Sequence, residues 1–428
     1  MIRVYQSFPV EDIRYLKKQM LSWANQFNIC CFLDNHEYEA THHSYECLVG
    51  AGAQNIFEPS EDFFASLAQF DKTTNDWVFG HFNYELKNIE EQETAPGHHQ
   101  VGFPDCFLFV PEVVLQLRNT ELVIGVISRD AGAIFKEILN SDIVPSTLAM
   151  VDIKPKMTRN EYIGKVRELI GHIKRGNCYE INFCQEFFAY DAINPQAIYH
   201  QLNILSPNPF SAFYKLYNNF LLCSSPERYI SKKGDKIISQ PIKGTLARSA
   251  DIEADHRNRQ QLHDSKKEQS ENVMIVDLVR NDLSKVCIEG SVKVEELFGI
   301  YSFPYVHQMI STISGSLKEE AGISEIIQAT FPMGSMTGAP KVKVMELIDK
   351  YESSKRGIYS GAVGYISPQK DFDFNVVIRS IVYNQETSYI SYHVGSAITF
   401  YSDPLQEYEE CLLKAKAISQ IFKGSSAL

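Results

Sequence analysis

Gly361-Ala-Val-Gly-Tyr-Ile-Ser367, Phe374-Asn-Val-Val-Ile-Arg-Ser-Ile-Val-Tyr383 and Tyr389-Ile-Ser-Tyr-His-Val-Gly-Ser-Ala-Ile398 read as three successive strands. Each is rich in β-branched and aromatic residues and is separated from the next by turn-forming polar residues. A helix follows, with Asp403 as N-cap, Pro404 in the first turn and Gln406 at the third position. Its apolar face is Leu405, Leu412, Ala415, Ile418 and Phe422. Upstream, strands are expected at Tyr179–Tyr190, Phe210–Leu222, Arg228–Ser231 and Lys236–Ser239. Thr158 and Glu161 form a capping box for a helix that Gly176 ends, and Lys266–Leu283 is a second helix. A third is expected to open at Thr337-Gly338-Ala339-Pro340. Strands at Asn28–Asp34, Tyr45–Phe57, Trp77–Leu86 and Cys106–Ile127, the last in two pieces, make the start of the chain β-rich. Long antiparallel-looking strands with interspersed helices predict an α+β fold. A connector around Ser141–Met157 separates an N-terminal part, 1–145, from a larger part, 157–424.

The 428 residues are 44% hydrophobic and 22% charged, enough to bury a sizeable core. A net charge of -12 argues against a nucleic-acid backbone or an anionic membrane surface as the main partner. No apolar run approaches the roughly 18 residues of a membrane span. The start, MIRVYQSFPVEDIRYLKK, has no apolar signal-peptide core. Nine cysteines without CxxC or Cys/His ligand spacing make disulfides and zinc unexpected. A soluble, reduced, cytoplasmic protein is the expectation.

Two helices each carry a Glu-x-x-Glu pair, Glu268/Glu271 and Glu407/Glu410. Residues three apart share a helix face, so each pair aims two carboxylates in one direction. Either pair alone is most simply a solvated acidic face. Four facing carboxylates, however, call for a hard dication between them, and Mg²⁺ suits oxygen ligands. Ser335-Met-Thr-Gly-Ala-Pro-Lys341 places Thr337, Gly338 and Ala339 just before a helix, either as a plain cap or as an anion cradle. Gly395 and Ala397 leave little side chain between backbone and a ligand. Arg379 is a lone cation in an apolar run, either a bidentate carboxylate donor or a strand residue pointing outward. Lys243, in Pro241-Ile-Lys-Gly-Thr245, is an ordinary surface lysine or a nucleophilic amine. Glu227, in Ser224-Ser-Pro-Glu-Arg228, is a turn carboxylate or a general acid whose pKa an apolar wall raises. The residues by themselves give no substrate.

Taken together these segments resemble the chorismate-utilising enzymes, the family of anthranilate synthase component I, isochorismate synthase and aminodeoxychorismate synthase component I. Matching stretches include Gly176-Asn-Cys-Tyr-Glu-Ile-Asn182, Ser224–Tyr229, Pro241–Thr245, Glu271–Leu283, Phe331–Lys341, Ser360–Tyr365, Ile378-Arg379 and Asp403–Lys414, in the family's order. They span about residues 157–420, and Gly80–Lys87 is a weaker N-terminal element. The resemblance implies an α/β sandwich of two large, mostly antiparallel sheets packed together with helices outside, the N-terminal part interleaved with the rest. It implies that Glu271 and Glu410 ligate Mg²⁺, assisted by Glu268 and Glu407, and that the ion holds the ring carboxylate of chorismate. Tyr365 and Arg379 match positions facing the enolpyruvyl carboxylate, helped by backbone near Gly395 and Ala397. Gly244 and Thr245 match residues lining the ring, and Lys414 a lysine near the acidic site.

Lys243 selects the branch. Anthranilate and isochorismate synthases usually carry Ala there, and aminodeoxychorismate synthases Lys. In that branch the lysine attacks C2 of chorismate while the C4 hydroxyl leaves with a proton from the glutamate matching Glu227, and ammonia then displaces the lysine at C4. The spacing of Glu227 and Lys243 is expected to put them on neighbouring strands. A glutamine amidotransferase partner is implied, since no Gly-x-Cys-x-Gly elbow is present. The competing readings are anthranilate synthase component I and a non-catalytic chorismate-binding subunit. Departures from the family pattern are Gln308 at a usual His, with His307 expected on the opposite strand face, Ala397 at a usual Gly, and Tyr401 at a usual Asp. Ser206-Pro-Asn-Pro-Phe-Ser211 partly resembles an element near which the family's anthranilate synthases bind tryptophan.

Overall fold

The computed structural model describes residues 2–38, 44–89, 101–146, 149–303 and 306–422. Residues 147–148 of the predicted connector and 423–424 at the end of the predicted larger part lie outside the described residues. Among the described residues the strands form one 12-stranded and one 10-stranded sheet, and their ladders are antiparallel. N-terminal strands enter both. Ile29–Asp34 pairs with Phe210–Leu216 in the larger sheet, and Val78–Phe82 pairs with Ala362–Ile366 in the smaller.

Strand alternation sorts the side chains into layers. Ile29 and Cys31 point inward to a layer shared with Tyr214, Leu221, Phe79, Phe109 and Val363, which is the contact between the sheets. Cys30 and Phe32 point outward, against a core built with the helices Ile13–Ala24, Ala131–Leu139, Arg159–Lys174, Pro195–Leu205 and Pro404–Ser419. The outer face of the smaller sheet is covered by Phe63–Thr73, Lys266–Val286 and Ile323–Thr330. This is the expected sandwich with helices outside. No helix among the described residues is long and apolar enough to cross a membrane.

The capping box at Thr158/Glu161 is formed, and Gly176 follows that helix with φ +78°. Asp403 caps the last helix through the amides of Leu405 and Gln406, although Leu405 itself is exposed. Five expectations need correction. Phe210–Leu222 is not one strand but part of a hairpin, Phe210–Leu216 and Asn219–Ser225, turned at a left-handed Tyr217 (φ +54°). Tyr45–Phe57 divides into Cys47–Ala51 in the larger sheet and Asn55–Ile56 in the smaller. Cys106–Ile127 is three strands, not two, because Pro111 and a left-handed Asn119 (φ +47°) each break it. The helix expected at Thr337 begins at Lys341, and Gly338–Ala339 is instead a short strand paired with Glu180–Ile181. Phe374–Tyr383 is not one strand. Phe372–Asn375 belongs to the smaller sheet and Ser380–Asn384 to the larger, with Arg379 (φ +49°) at the crossing.

Candidate active site

That crossing builds the site. The chain passes between the sheets a second time at Pro226-Glu227, between Asn219–Ser225 and Arg228–Lys233. The two crossings are hydrogen-bonded, Val376 N–H to the Glu227 carbonyl at 3.0 Å and Ser224 N–H to the Arg379 carbonyl at 3.1 Å. Glu227 and Arg379 are thereby held where the sheets part. Burial pushes the Glu227 carboxyl up to about 7, against hydrogen bonds from Ser335 and the Ile242 amide and the nearby charges of Lys243 and Arg379. Burial likewise lowers the Arg379 guanidinium from its ordinary value, with Glu227 acting the other way.

Lys243 reaches the same place along the smaller sheet. Lys236–Gln240 and Ile242–Ala247 both run beside Val306–Ser316, and the break between them is Pro241. Arg228 pairs with Gln240, three residues before Lys243, which brings the crossing near the lysine. The expectation of neighbouring strands needs correction, since Glu227 lies in neither sheet and Ile242–Ala247 pairs with Val306–Ser316 instead of Arg228–Lys233. Gly244, at φ +80°, makes the bulge that turns Lys243 inward, leaving the lysine 8% exposed while Thr245 is exposed. Its Nζ donates to Glu180 Oε1 at 2.6 Å. Burial lowers the ammonium pKa, but Glu180, Glu271 and Glu227 outweigh it and hold it above its ordinary value. The resting lysine is therefore charged.

The two Glu-x-x-Glu pairs meet around another ammonium. Lys267 Nζ lies 3.8 Å from Glu407 Oε1 and 4.0 Å from Glu410 Oε2, and Glu271 and Glu268 also act on it. Gly244 packs against Glu268, for a Cβ there would meet Glu268 Oε2 at 2.9 Å. Glu271 Oε1 and Glu407 Oε2 are buried without a hydrogen-bond partner. Buried unpaired carboxylate oxygens among neighbouring glutamates are the kind of donor that suits Mg²⁺. Among the described residues, no three of these side chains are gathered closely enough to ligate an ion as they stand. The residues fit the ion by chemistry, and Lys267 supplies the positive charge nearest Glu407 and Glu410 in this structure.

The remaining candidates form the wall opposite. Thr337 is fully buried, its hydroxyl donating to the Met333 and Gly334 carbonyls. A Cβ on Gly338 (φ +141°) would meet the Glu180 carbonyl oxygen at 2.2 Å, so this strand pair requires glycine. Gly395 and Ala397 pair with Cys184 and Asn182 on Glu180–Tyr190. Lys414 donates to the Gly395 carbonyl at 3.1 Å and pairs with Glu410 at 2.9 Å, joining this wall to the acidic cluster.

Tyr365 does not join Arg379. Ala362 and Ile366 pack on the outer face of their strand, so Val363 and Tyr365 face the space between the sheets. There Tyr365 packs against Tyr45, Trp77 and Phe79 and lines a pocket with Pro209, Phe210, Ser211 and Asp373. That pocket contains the end of the Ser206–Ser211 element. The tyrosine beside the strand that carries Gly395 is Tyr359, stacked on His393 at 5.0 Å and hydrogen-bonded with Cys184 Sγ, the register partner of Gly395. Gln308 and His307 do face opposite ways. Gln308 is buried with Oε1 unpartnered, and His307 contacts Asp255 and Ser302. Sequence reasoning also missed Glu180 and Arg356. Arg356 donates to the Met336 and Asn182 carbonyls at 2.6 and 2.8 Å, and the signal for it is only a lone Arg before a Gly.

Comparisons with known proteins bear on the family and the fold. A family model described as chorismate binding enzyme matches residues 24–420. The chain is 36% identical over 345 residues to the aminodeoxychorismate synthase component 1 of Salmonella typhimurium, covering 80% of this chain and 75% of that protein. It is 39% identical over 345 residues to the Escherichia coli protein of the same name, covering 80% and 76%. Among solved structures, anthranilate synthase component I from Streptococcus pneumoniae superposes with a TM-score of 0.76 at 23% identity, over 89% of this chain and 93% of that one. That likeness is one of fold.

Proposed function

Because this chain belongs to the family of chorismate-binding enzymes, we propose that it works as an aminodeoxychorismate synthase component I, converting chorismate and ammonia to 4-amino-4-deoxychorismate in p-aminobenzoate and folate biosynthesis. The observation that carries this reading is Lys243, an amine buried in the site and facing the carboxyl of Glu227. A direct attack by ammonia at C2 would need no lysine there.

In this reading Lys243 attacks C2 of the ring, the two ring double bonds shift, and the C4–O bond breaks. Glu227, held protonated by burial near neutral pH, gives its proton to the departing hydroxyl, which leaves as water. Ammonia then attacks C4, the double bonds shift back and Lys243 leaves. Glu227 takes back a proton from the new amine. Arg379 is placed to pair with a substrate carboxylate, and Gly244, Gly338 and Gly395 let backbone approach the ring closely. Glu271, Glu410, Glu268 and Glu407 would hold Mg²⁺, whose charge supplies an anchor for the ring carboxylate. Two relatives carry the name component 1, which suits a second component, a glutamine amidotransferase, as the ammonia source.

The test is a product assay with purified protein, chorismate, Mg²⁺ and an ammonium salt, coupled to an added aminodeoxychorismate lyase. p-Aminobenzoate from wild type that disappears in Lys243→Ala supports the covalent route to C4. Anthranilate would make Lys243 a bystander and the protein an anthranilate synthase. Bound chorismate without product, even with the amidotransferase added, would leave a binding subunit.

A further inference from the structure

Glu180 is the one side chain among the described residues hydrogen-bonded to Lys243 Nζ, at 2.6 Å through Oε1. It is 1% exposed, and its second oxygen, Oε2, is buried with no hydrogen-bond partner. Its backbone is fixed by the pairing of Glu180 with Ala339, and the Tyr179 amide also donates to the Ala339 carbonyl. Local sequence gives it no role, and a structural salt bridge would be better served by a carboxylate with both oxygens satisfied.

An ammonium has no lone pair and cannot attack carbon. With Lys243 buried, its proton passes most directly to a group within hydrogen-bond reach. Five carboxylates act on Lys243, namely Glu180 on the strand Glu180–Tyr190, Glu227 at the sheet crossing, and Glu271, Glu268 and Glu410 of the acidic cluster. Glu227 is the acid for the departing hydroxyl, and a group that has yet to give up its proton cannot accept another. The three cluster glutamates would hold Mg²⁺. Glu180 is in contact with the ammonium, and its second oxygen is left without a hydrogen-bond partner to hold it to any other role.

We propose that Glu180 is the proton acceptor for Lys243. This rests on the reading of Lys243 given above. In the first displacement the Nζ–H bond breaks, its proton goes to the Glu180 carboxylate, and the freed electron pair forms the Nζ–C2 bond. In the second, the C2–N bond breaks, its electrons return to nitrogen, and Glu180 gives the proton back. Lysine and glutamate end as they began, so the net reaction is chorismate plus ammonia giving aminated product plus water.

The experiment compares wild type, Glu180→Gln and Glu180→Asp in steady-state product formation at saturating Mg²⁺ and fixed uncharged ammonia. The amide keeps an acceptor for the Lys243 hydrogen bond but cannot take a proton. In Glu180→Gln, kcat falls about 100-fold while KM for chorismate stays within about twofold. The lysine proton must then be lost to solvent, so the ratio of variant to wild-type kcat rises about tenfold per pH unit below the lysine's pKa. The ratio cancels the ionisation of Glu227 and of ammonia. Glu180→Asp keeps the base, so it recovers part of kcat and gives a ratio flat in pH, a result that stands by itself if the glutamine variant does not fold. A Glu180→Gln ratio flat in pH, or a loss confined to KM, assigns Glu180 a tether's role and overturns the proposal. Absence of aminated product from wild type would instead overturn the reading of Lys243, and Glu180's role with it.

Discussion

The guanidinium of Arg356 is paired with Glu352 at 2.6 Å, and neither side chain is more than 5% exposed. Arg356 also donates to the carbonyls of Met336 and Asn182 and lies over the ring of Tyr84. One fork thus joins the Ser335–Lys341 loop to the strand Glu180–Tyr190. Arg356→Met leaves Glu352 as an uncompensated buried charge and should cost about 3–5 kcal/mol, read as a lower urea midpoint at unchanged m. Arg356→Met/Glu352→Met should recover part of that loss. A double variant no more stable than the single would show that the carbonyl contacts, not the ion pair, dominate.

Glu227 sets a descending limb. Its carboxyl is pushed up to about 7 by burial, and the acid form is the one that protonates the leaving hydroxyl. At saturating chorismate and fixed free ammonia, kcat should therefore hold below about pH 7 and fall as pH rises through it. Glu227→Gln should remove that limb along with about 10²–10⁴ of the rate. The same shift touches stability. The unfolded carboxyl ionises near 4.3, so the folded state is favoured fully below that value and loses the contribution as pH rises through about 7. Between about pH 4.3 and pH 7, thermal melts of Glu227→Gln should be less sensitive to pH than those of wild type. An unchanged limb in the variant would remove Glu227 from the acid role.

What the sequence discloses here is what local physics determines. The Thr158/Glu161 capping box, the helix after Asp403 and the glutamate pairs are legible because caps and helical spacing involve residues within one turn. The sheet change inside Phe374–Tyr383 is not. Val376-Val-Ile has good strand propensity, and tertiary bonds, among them those from Val376 to Glu227, from Ser224 to Arg379 and between Val377 and Ser360-Gly361, impose the crossing. Two tyrosines precede Arg379 in Tyr359-Ser-Gly-Ala-Val-Gly-Tyr365, and choosing between them needs the strand's facing, which follows from packing of Ala362 and Ile366. Glu180 lies in the family-matching stretch Gly176–Asn182, but that stretch gives it no role. Its meaning comes from Lys243, remote in sequence and 2.6 Å away in space.

Two glycines with positive φ should respond very differently to alanine. At Gly338 the new Cβ meets the Glu180 carbonyl oxygen at 2.2 Å, whereas at Gly176 nothing lies within 4 Å. Gly176→Ala has to bear only its own backbone strain, about 1 kcal/mol, with kinetics unchanged. Gly338→Ala must separate Gly338–Ala339 from Glu180–Ile181, displacing the partner of Lys243. It should cost about 2–4 kcal/mol and at least ~10-fold in kcat. Equal behaviour of the two variants in denaturation and turnover would mean that this strand pair is dispensable.

Lys267 offers a test of the acidic cluster that is independent of turnover. Its ammonium sits 3.8 Å from Glu407 Oε1 and 4.0 Å from Glu410 Oε2, so a dication entering there must displace a positive charge. Because Lys267 is half-exposed, it can swing to solvent, and the penalty it imposes is modest. Calorimetric titration with Mg²⁺, without chorismate, should show binding tightened about tenfold in Lys267→Met and weakened or lost in Glu271→Gln. Chelation with EDTA should abolish product formation in wild type, and added Mg²⁺ should restore it. If Lys267→Met and Glu271→Gln both bind Mg²⁺ as wild type does, the ion is held elsewhere, and the unpaired oxygens of Glu271 and Glu407 need another partner.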